Sequence, residues 1–256
     1  MVKSQGYAAI LPLAVFLIVF FYVPFAVLAA RSLQLPGGGV GLDNYLAIFR
    51  DPTYARVLAF SLAVAAANTL ATLALAYPAA LYIAFYAPRR EAAILTVLII
   101  SPFWVDLLLR AIALKTLLQA LGVREGLTAM LLGMVYDYLP IMFLPIYAGL
   151  AKVSRSIVEA AKTLGAGELQ VLRRVVLPLS LPGVAAGVIL VFLMSVTEFV
   201  IPSLLGGTRG FTVGSLIYHT FLSGGMWGVG AALTVLVTFA LAVAAVVASR
   251  RVEVFR

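Results

Sequence analysis

WGVGAALTVLVTFALAVAAVVAS, the stretch from Trp227 to Ser249, contains no charged side chain and is followed at once by Arg250-Arg251. A helix needs about 20 apolar residues to cross about 30 Å of hydrocarbon. Inside a bilayer every backbone N–H and C=O must find its partner within the protein, which a helix achieves along its own length. Five more apolar runs lie upstream, near Ala8–Ala30, Val57–Phe85, Ala92–Leu109, Leu127–Ala151 and Leu181–Leu205. The expected fold is all-α: a polytopic membrane protein with six transmembrane helices, forming one transmembrane domain over residues 1–256. The Val57–Phe85 run exceeds a single span and is expected to tilt or project. Its Ala59, Ala63, Ala67 and Ala71 recur every helical turn, a face that lets a neighbouring helix approach closely. The first run follows Lys3 and passes Val27-Leu28-Ala29, but it is longer than the apolar core of about 7–15 residues in a signal peptide. It is expected to be a retained first helix.

Composition points the same way. Hydrophobic residues make up 64% of the chain and charged residues 11%, against about a quarter charged in soluble domains. Lipid is therefore the expected surroundings. There are 0 cysteines, which excludes disulfides and thiolate metal sites, and no metal site of another kind is expected. The net charge of +8 is scattered between apolar runs instead of gathered in a stripe, so no nucleic-acid partner is expected. Lys and Arg are more frequent in the segments that lie inside if both termini are cytoplasmic, with Arg89-Arg90 and Arg250-Arg251 directly at helix ends. The outer connection from Arg31 to Arg56 holds Pro36-Gly37-Gly38-Gly39, then a short amphipathic stretch, Leu42 to Phe49. A second external segment, Gly206 to Gly225, carries the lone histidine, His219, read as a solvated loop residue.

The longest polar cytoplasmic segment, about 152–178, is the most informative. Ser156 and Glu159 have the spacing of a capping box. Ile157, Ala160, Ala161 and Leu164 then share a helical face, and Gly165 and Gly167 can stop that helix with left-handed backbone. A second short helix is expected from Glu168, with Leu169, Leu172 and Val176 on one side and Pro178 and Pro182 marking the return to the membrane. Helix, glycine turn and helix make a knob able to pass force to a cytoplasmic partner.

Glu159-Ala160-Ala161, Gly165 and Leu177-Pro178 resemble, in order and spacing, the "EAA" loop of binding-protein-dependent ABC importer permeases, with Val175 where the family usually has Ile. The resemblance covers nearly the whole chain and is closest to the spermidine/putrescine-type branch. It includes Asp43-Asn44-Tyr45, Asn68-Thr69, Tyr77-Pro78, Pro102-Phe103-Trp104-Val105, Arg110, Tyr138-Leu139-Pro140 and Glu198-Phe199-Val200-Ile201-Pro202. The connection from Arg110 to Gly126 looks shorter than in typical polyamine permeases. The resemblance implies a type I ABC permease fold whose coupling loop, with Glu159, Ala160, Ala161, Leu164, Gly165 and Pro178, docks on an ABC ATPase dimer. It implies further partners: a second permease subunit, paralogous or identical, and an external solute-binding protein. It implies no cofactor in this chain, ATP and Mg being bound by the ATPase, and no catalytic residue here. The chain has no Gly-x-x-x-x-Gly-Lys-Ser/Thr phosphate loop of its own.

Three acids fall in the apolar runs: Asp106, Asp137 and Glu198. A charge at mid-membrane costs about 2.5–3.5 kcal/mol on insertion scales, so each needs a partner or a wet path. Arg110 is one turn from Asp106 and offers an intrahelical ion pair; a place on the solute path is the other reading of Asp106. Asp137 and Glu198 have no base within a turn, which suggests a path for a cationic solute, with Trp104, Tyr136 and Tyr138 adding cation–π contacts. For Glu198 a fold-stabilising hydrogen bond is the other reading. A polyamine-like cation suits this set. The same permease class serving iron, phosphonate or thiamine stays open, as does an ion-coupled secondary transporter using Asp137 and Glu198. The absence of inverted-repeat symmetry disfavours the latter.

Overall fold

The computed structural model describes residues 2–35, 37–222 and 225–253. Along the chain run α1 (Val2–Leu17), α2 (Val23–Ser32), α3 (Asp43–Arg50), α4 (Pro52–Phe85), α5 (Arg89–Ile100), α6 (Leu107–Ala120) and α7 (Leu127–Leu150). Then come α8 (Arg155–Thr163), α9 (Glu168–Val171), α10 (Leu177–Thr197), α11 (Val200–Leu205), α12 (Val213–Leu222) and α13 (Trp227–Glu253). Among the described residues, five helical stretches are long and apolar enough to cross a membrane: Ile10–Ser32, Pro52–Phe85, Leu127–Leu150, Glu168–Thr197 and Trp227–Arg250. The sixth is the pair Arg89–Trp104 and Leu107–Ala120, bent by 103°.

That bend corrects the straight third span expected over Ala92–Leu109. Pro102 sits in a 3-10 turn, Ser101–Trp104, and Val105 and Asp106 are extended. Asp106 then caps α6, its Oδ1 accepting from the Leu108 N–H at 2.9 Å. Arg110 and Lys115, expected in an outer loop, lie inside α6. A wider helical turn deals with prolines in the opposite way. A π-turn, Leu172–Val176, leads straight into α10, so Pro178 and Pro182 fall within a continuous helix from Glu168 to Thr197. Proline lacks the N–H that would bond to the fourth residue back, and a widened turn absorbs that loss. The fifth span therefore starts earlier than expected and ends at Thr197, with α11 separate. His219 lies on α12, not on a loop.

Chain packing divides into two units, Met1–Ala55 with Ile217–Leu241 and Arg56–Leu216 with Ala242–Arg256. In the first, Asn44 Nδ2 donates to the carbonyls of Ser32 and Gln34, both at 2.9 Å, and Tyr45 OH meets Ser32 Oγ at 2.7 Å. The amphipathic helix α3 is thus tied to the last turn of the first span.

In the second unit α7 is central, with Met130, Met134, Met142, Phe143, Ile146 and Leu150 fully buried. It crosses α10 at glycines: a Cβ on Gly183 would lie 2.4 Å from the Pro145 carbonyl oxygen and 3.2 Å from the Gly149 Cα. In lipid, where apolar faces gain little from leaving the solvent, such close approach and polar contacts hold helices together. The polar contacts join α4 to α10, with Asn68 Nδ2 donating to Ser195 Oγ at 2.8 Å and Tyr77 OH near Ser180 Oγ at 3.4 Å. The buried face of α4 is accordingly Ser61, Ala65, Asn68, Thr69, Thr72 and Ala76. Ala59, Ala63, Ala67 and Ala71, expected at a helix crossing, face outward.

Candidate functional site

The knob expected to face the cytoplasm is α8, the turn at Gly165 and α9. Ser154, not Ser156, caps α8: its Oγ accepts the Ser156 N–H at 3.3 Å and meets Ser156 Oγ at 2.6 Å. Glu159 is exposed and is no part of a capping box. The end of α8 explains the spacing of Ala161 and Gly165. The Ala166 N–H bonds to the Ala161 carbonyl at 3.1 Å and the Gly165 N–H to the Lys162 carbonyl at 2.9 Å. This pair of bonds is a Schellman closure and requires left-handed backbone at the residue after the cap. Gly165 has φ +85°. Gly167, expected to share that role, has φ −67° and begins α9. Lys162 Nζ reaches Glu168 Oε1 at 3.4 Å across the turn, in an exposed pair that adds little stability.

The turn leaves apolar side chains uncovered: Leu164 is 88% exposed and Leu169 59%. Ala160 is exposed beside Glu159, while Ala161 faces partly inward. Val171 and Val176 are buried, anchoring the other side of the knob. A cavity of about 510 Å³ separates α8 from the end of α4, between Leu81, Phe85 and Tyr86 on one wall and Val158, Glu159 and Lys162 on the other.

Within the membrane the acids are partnered. Arg110 Nη2 lies 2.8 Å from Asp137 Oδ1, both side chains 9% exposed. The contact joins α6 to α7, and it replaces both the intrahelical Asp106–Arg110 pair and the unpartnered Asp137 expected from sequence. It is an ion pair without hydrogen-bond alignment, because Asp137 Oδ1 and the Arg110 Nε and Nη1 lack hydrogen-bond partners among the described residues. The guanidinium carbon also sits 5.3 Å from the centre of the Phe103 ring, a cation–π contact supplied by the bend.

One residue on, Tyr138 is buried and its OH donates to Glu198 Oε2 at 2.6 Å. Glu198 Oε1 accepts the N–H groups of Val200 at 2.8 Å and Ile201 at 3.4 Å, so the carboxylate holds the start of α11. Glu198 itself is half-buried. Trp104 is 73% exposed at the bend and Tyr136 39% exposed on α7. The structure therefore brings Arg110, Asp137, Tyr138 and Glu198 into one connected set. Sequence reading missed Arg110 as the partner of Asp137, and Ser154 as the cap. The signal for the first was partial: Arg110 directly follows an apolar run and so calls for an acid, but the sequence does not say that the acid is Asp137.

A bundle of long apolar helices with a protruding knob, and with buried charges paired across helices, is the architecture of a polytopic membrane protein. The chain matches, over residues 9–253, the family described as "Binding-protein-dependent transport system inner membrane component", and it belongs to that family. It is 36% identical over 217 residues to the spermidine/putrescine transport system permease protein PotB of Escherichia coli K12, covering 78% of each chain. To the PotB of Haemophilus influenzae it is 32% identical over 249 residues, covering 88% of this chain and 86% of that one. Its fold is similar to a chain of a bacterial ABC transporter that imports the acidic polysaccharide alginate, with a TM-score of 0.80, 16% identity, and 98% and 96% of the two chains covered.

Proposed function

We propose that this chain is the transmembrane subunit of an ATP-driven importer that carries a polyamine-like cation from an external binding protein into the cell. The similarity to permeases named for spermidine and putrescine over most of the chain is the observation that carries this reading. The site chemistry fits it. Arg110 neutralises Asp137, so the partly accessible carboxylate of Glu198 and the acid Asp106 at the bend supply the negative charge facing a cationic solute, with Trp104 and Tyr136 exposed nearby in sequence. Tyr138, the next residue along α7 from Asp137, donates to Glu198 and orients it. The knob around Gly165 presents Leu164 and Leu169 to a groove on an ABC ATPase dimer, where ATP and Mg are bound. A second permease subunit completes the path. Both termini lie in the cytoplasm and the chain itself carries no catalytic group.

The test is uptake of labelled spermidine by proteoliposomes containing the complete complex and a loaded binding protein. Uptake should require ATP and persist in the presence of a proton ionophore. Glu198→Gln, which keeps size and removes charge, should lower initial uptake about tenfold, the loss of a charge-assisted contact of about 1.5–3 kcal/mol, while basal ATP hydrolysis persists. Uptake that collapses with the proton gradient, or a transported solute that is anionic, would overturn this reading.

A further inference from the structure

The last two turns of the first span carry an apolar groove with a single cation at its end. Pro24, Val27, Leu28 and Arg31 lie at i, i+3, i+4 and i+7 on α2, and Phe221 and Trp227 form the opposite wall of a cavity of about 390 Å³. The two aromatic rings meet edge to face, their centres 5.4 Å apart. From Pro24 to Arg31 the groove runs about 10 Å along the helix axis, at about 1.5 Å per residue, and it ends one residue before the span does, at Ser32. Arg31 is exposed; among the described residues its Nη1 donates to Gln34 Oε1 at 3.2 Å, which orients the guanidinium while its remaining N–H groups stay available.

We infer that this groove binds a phospholipid, with an acyl chain along Pro24, Val27 and Leu28 against Trp227 and the headgroup phosphate on Arg31. The fit rests on where the charge stands. The apolar walls lie within the hydrocarbon depth of the span, whereas the guanidinium stands where the span ends, the level of the lipid phosphates. Arginine presents a planar fork of donors that matches phosphate oxygens in pairs. A tryptophan at the same depth is the side chain that favours the membrane–water boundary, apolar over most of its surface with one N–H donor. An anionic headgroup is preferred, because it lacks the ammonium that offsets the phosphate charge in a zwitterionic lipid and repels the guanidinium.

Photo-crosslinking of the intact importer complex in lipid nanodiscs tests the site. The probes are phosphatidylglycerol and phosphatidylcholine, each with a diazirine in one acyl chain, and adducts are mapped by peptide mass spectrometry. Adducts on residues 24–31 and on Trp227 are expected, with phosphatidylglycerol favoured over phosphatidylcholine roughly fivefold, the effect of one basic residue near an anionic lipid surface. Arg31→Gln should abolish that preference and Arg31→Lys should keep most of it. Added inorganic phosphate should not compete, since the acyl chain supplies the residence in the groove. Equal labelling by both lipids, or an unchanged preference in Arg31→Gln, would overturn the inference. So would a groove free of adducts while the rest of the span is labelled, the pattern expected if another protein chain covers it.

Discussion

At Arg110 and Asp137 two charges share one buried contact between helices, 2.8 Å apart with each side chain 9% exposed. Desolvating such a pair is costly, and the unmatched Nε and Nη1 of Arg110 add to that cost. The consequence for substitutions is asymmetric. Asp137→Asn leaves a buried cation without its counter-charge and should lower stability by about 3–5 kcal/mol. Arg110→Met with Asp137→Leu removes both charges and should restore thermal stability in detergent to the parent value or above it. If Asp137 instead served as a free charge on the solute path, Asp137→Asn would hardly change stability, and the double variant would give no recovery. The sequence made the wrong pairing plausible. Asp106 and Arg110 have helical i, i+4 spacing, but that spacing brings two side chains together only when both residues are inside the helix. Asp106 stands at the cap, turned to the Leu108 N–H. Asp137 could not be matched from sequence because its partner comes from another helix, and hydropathy does not say which faces of two spans meet. Glu198 is the complementary case: a fold-stabilising hydrogen bond is one of its two readings from sequence, and its carboxylate accepts the first N–H groups of α11.

Among the elements, the knob was the most legible because its signals are local. A glycine just past an amphipathic turn marks a helix end, and the Ala161–Gly165 interval is the spacing that a Schellman closure needs. Which of two nearby glycines does the turning depends on backbone angles that composition does not reveal; Gly165 has φ +85° and Gly167 does not. That difference yields a paired prediction. Gly165→Val forces a β-branched residue into left-handed backbone and should release the α8–α9 angle, weakening association with the ATPase and stopping ATP-driven import while membrane insertion persists. Gly167→Ala places its Cβ in open space at an ordinary φ and should leave both unchanged. Pull-down of the ATPase together with proteoliposome uptake checks the pair; equal losses in the two variants would show that space, not backbone conformation, governs the loop. Pro178 and Pro182 mislead for the reverse reason. In the sequence they mark the return to the membrane, yet both lie within a helix, as do Pro140 and Pro145 inside the expected fourth span. Neighbouring helices and wider turns can supply what each proline withholds. Pro102 does break its span, because an extended Val105 and a capping Asp106 follow it.

For the molecule as a whole, hydropathy gave the number and order of the spans, since crossing a bilayer imposes a length that no soluble helix must meet. Sidedness rests on a different physical cue, the retention of Lys and Arg on the cytoplasmic side during insertion, and the knob supplies an independent constraint: it can couple to a cytoplasmic ATPase only from inside. Both cues favour the proposal of cytoplasmic termini, with the connection before α3 and the turn after α11 outside. A chain with 0 cysteines permits a direct test. Val40 is 79% exposed in the first outer connection, and Thr208 is exposed after α11. Val40→Cys and Thr208→Cys should react with a membrane-impermeant maleimide added to intact cells. Leu164→Cys, at the tip of the knob, and Ser249→Cys, beside Arg250 at the end of the last span, should react only after the membrane is permeabilised. Because the four positions report on different connections, one discordant residue would indicate a locally wrong span, whereas reversal of all four would invert the topology and place the knob where no ATPase can reach it.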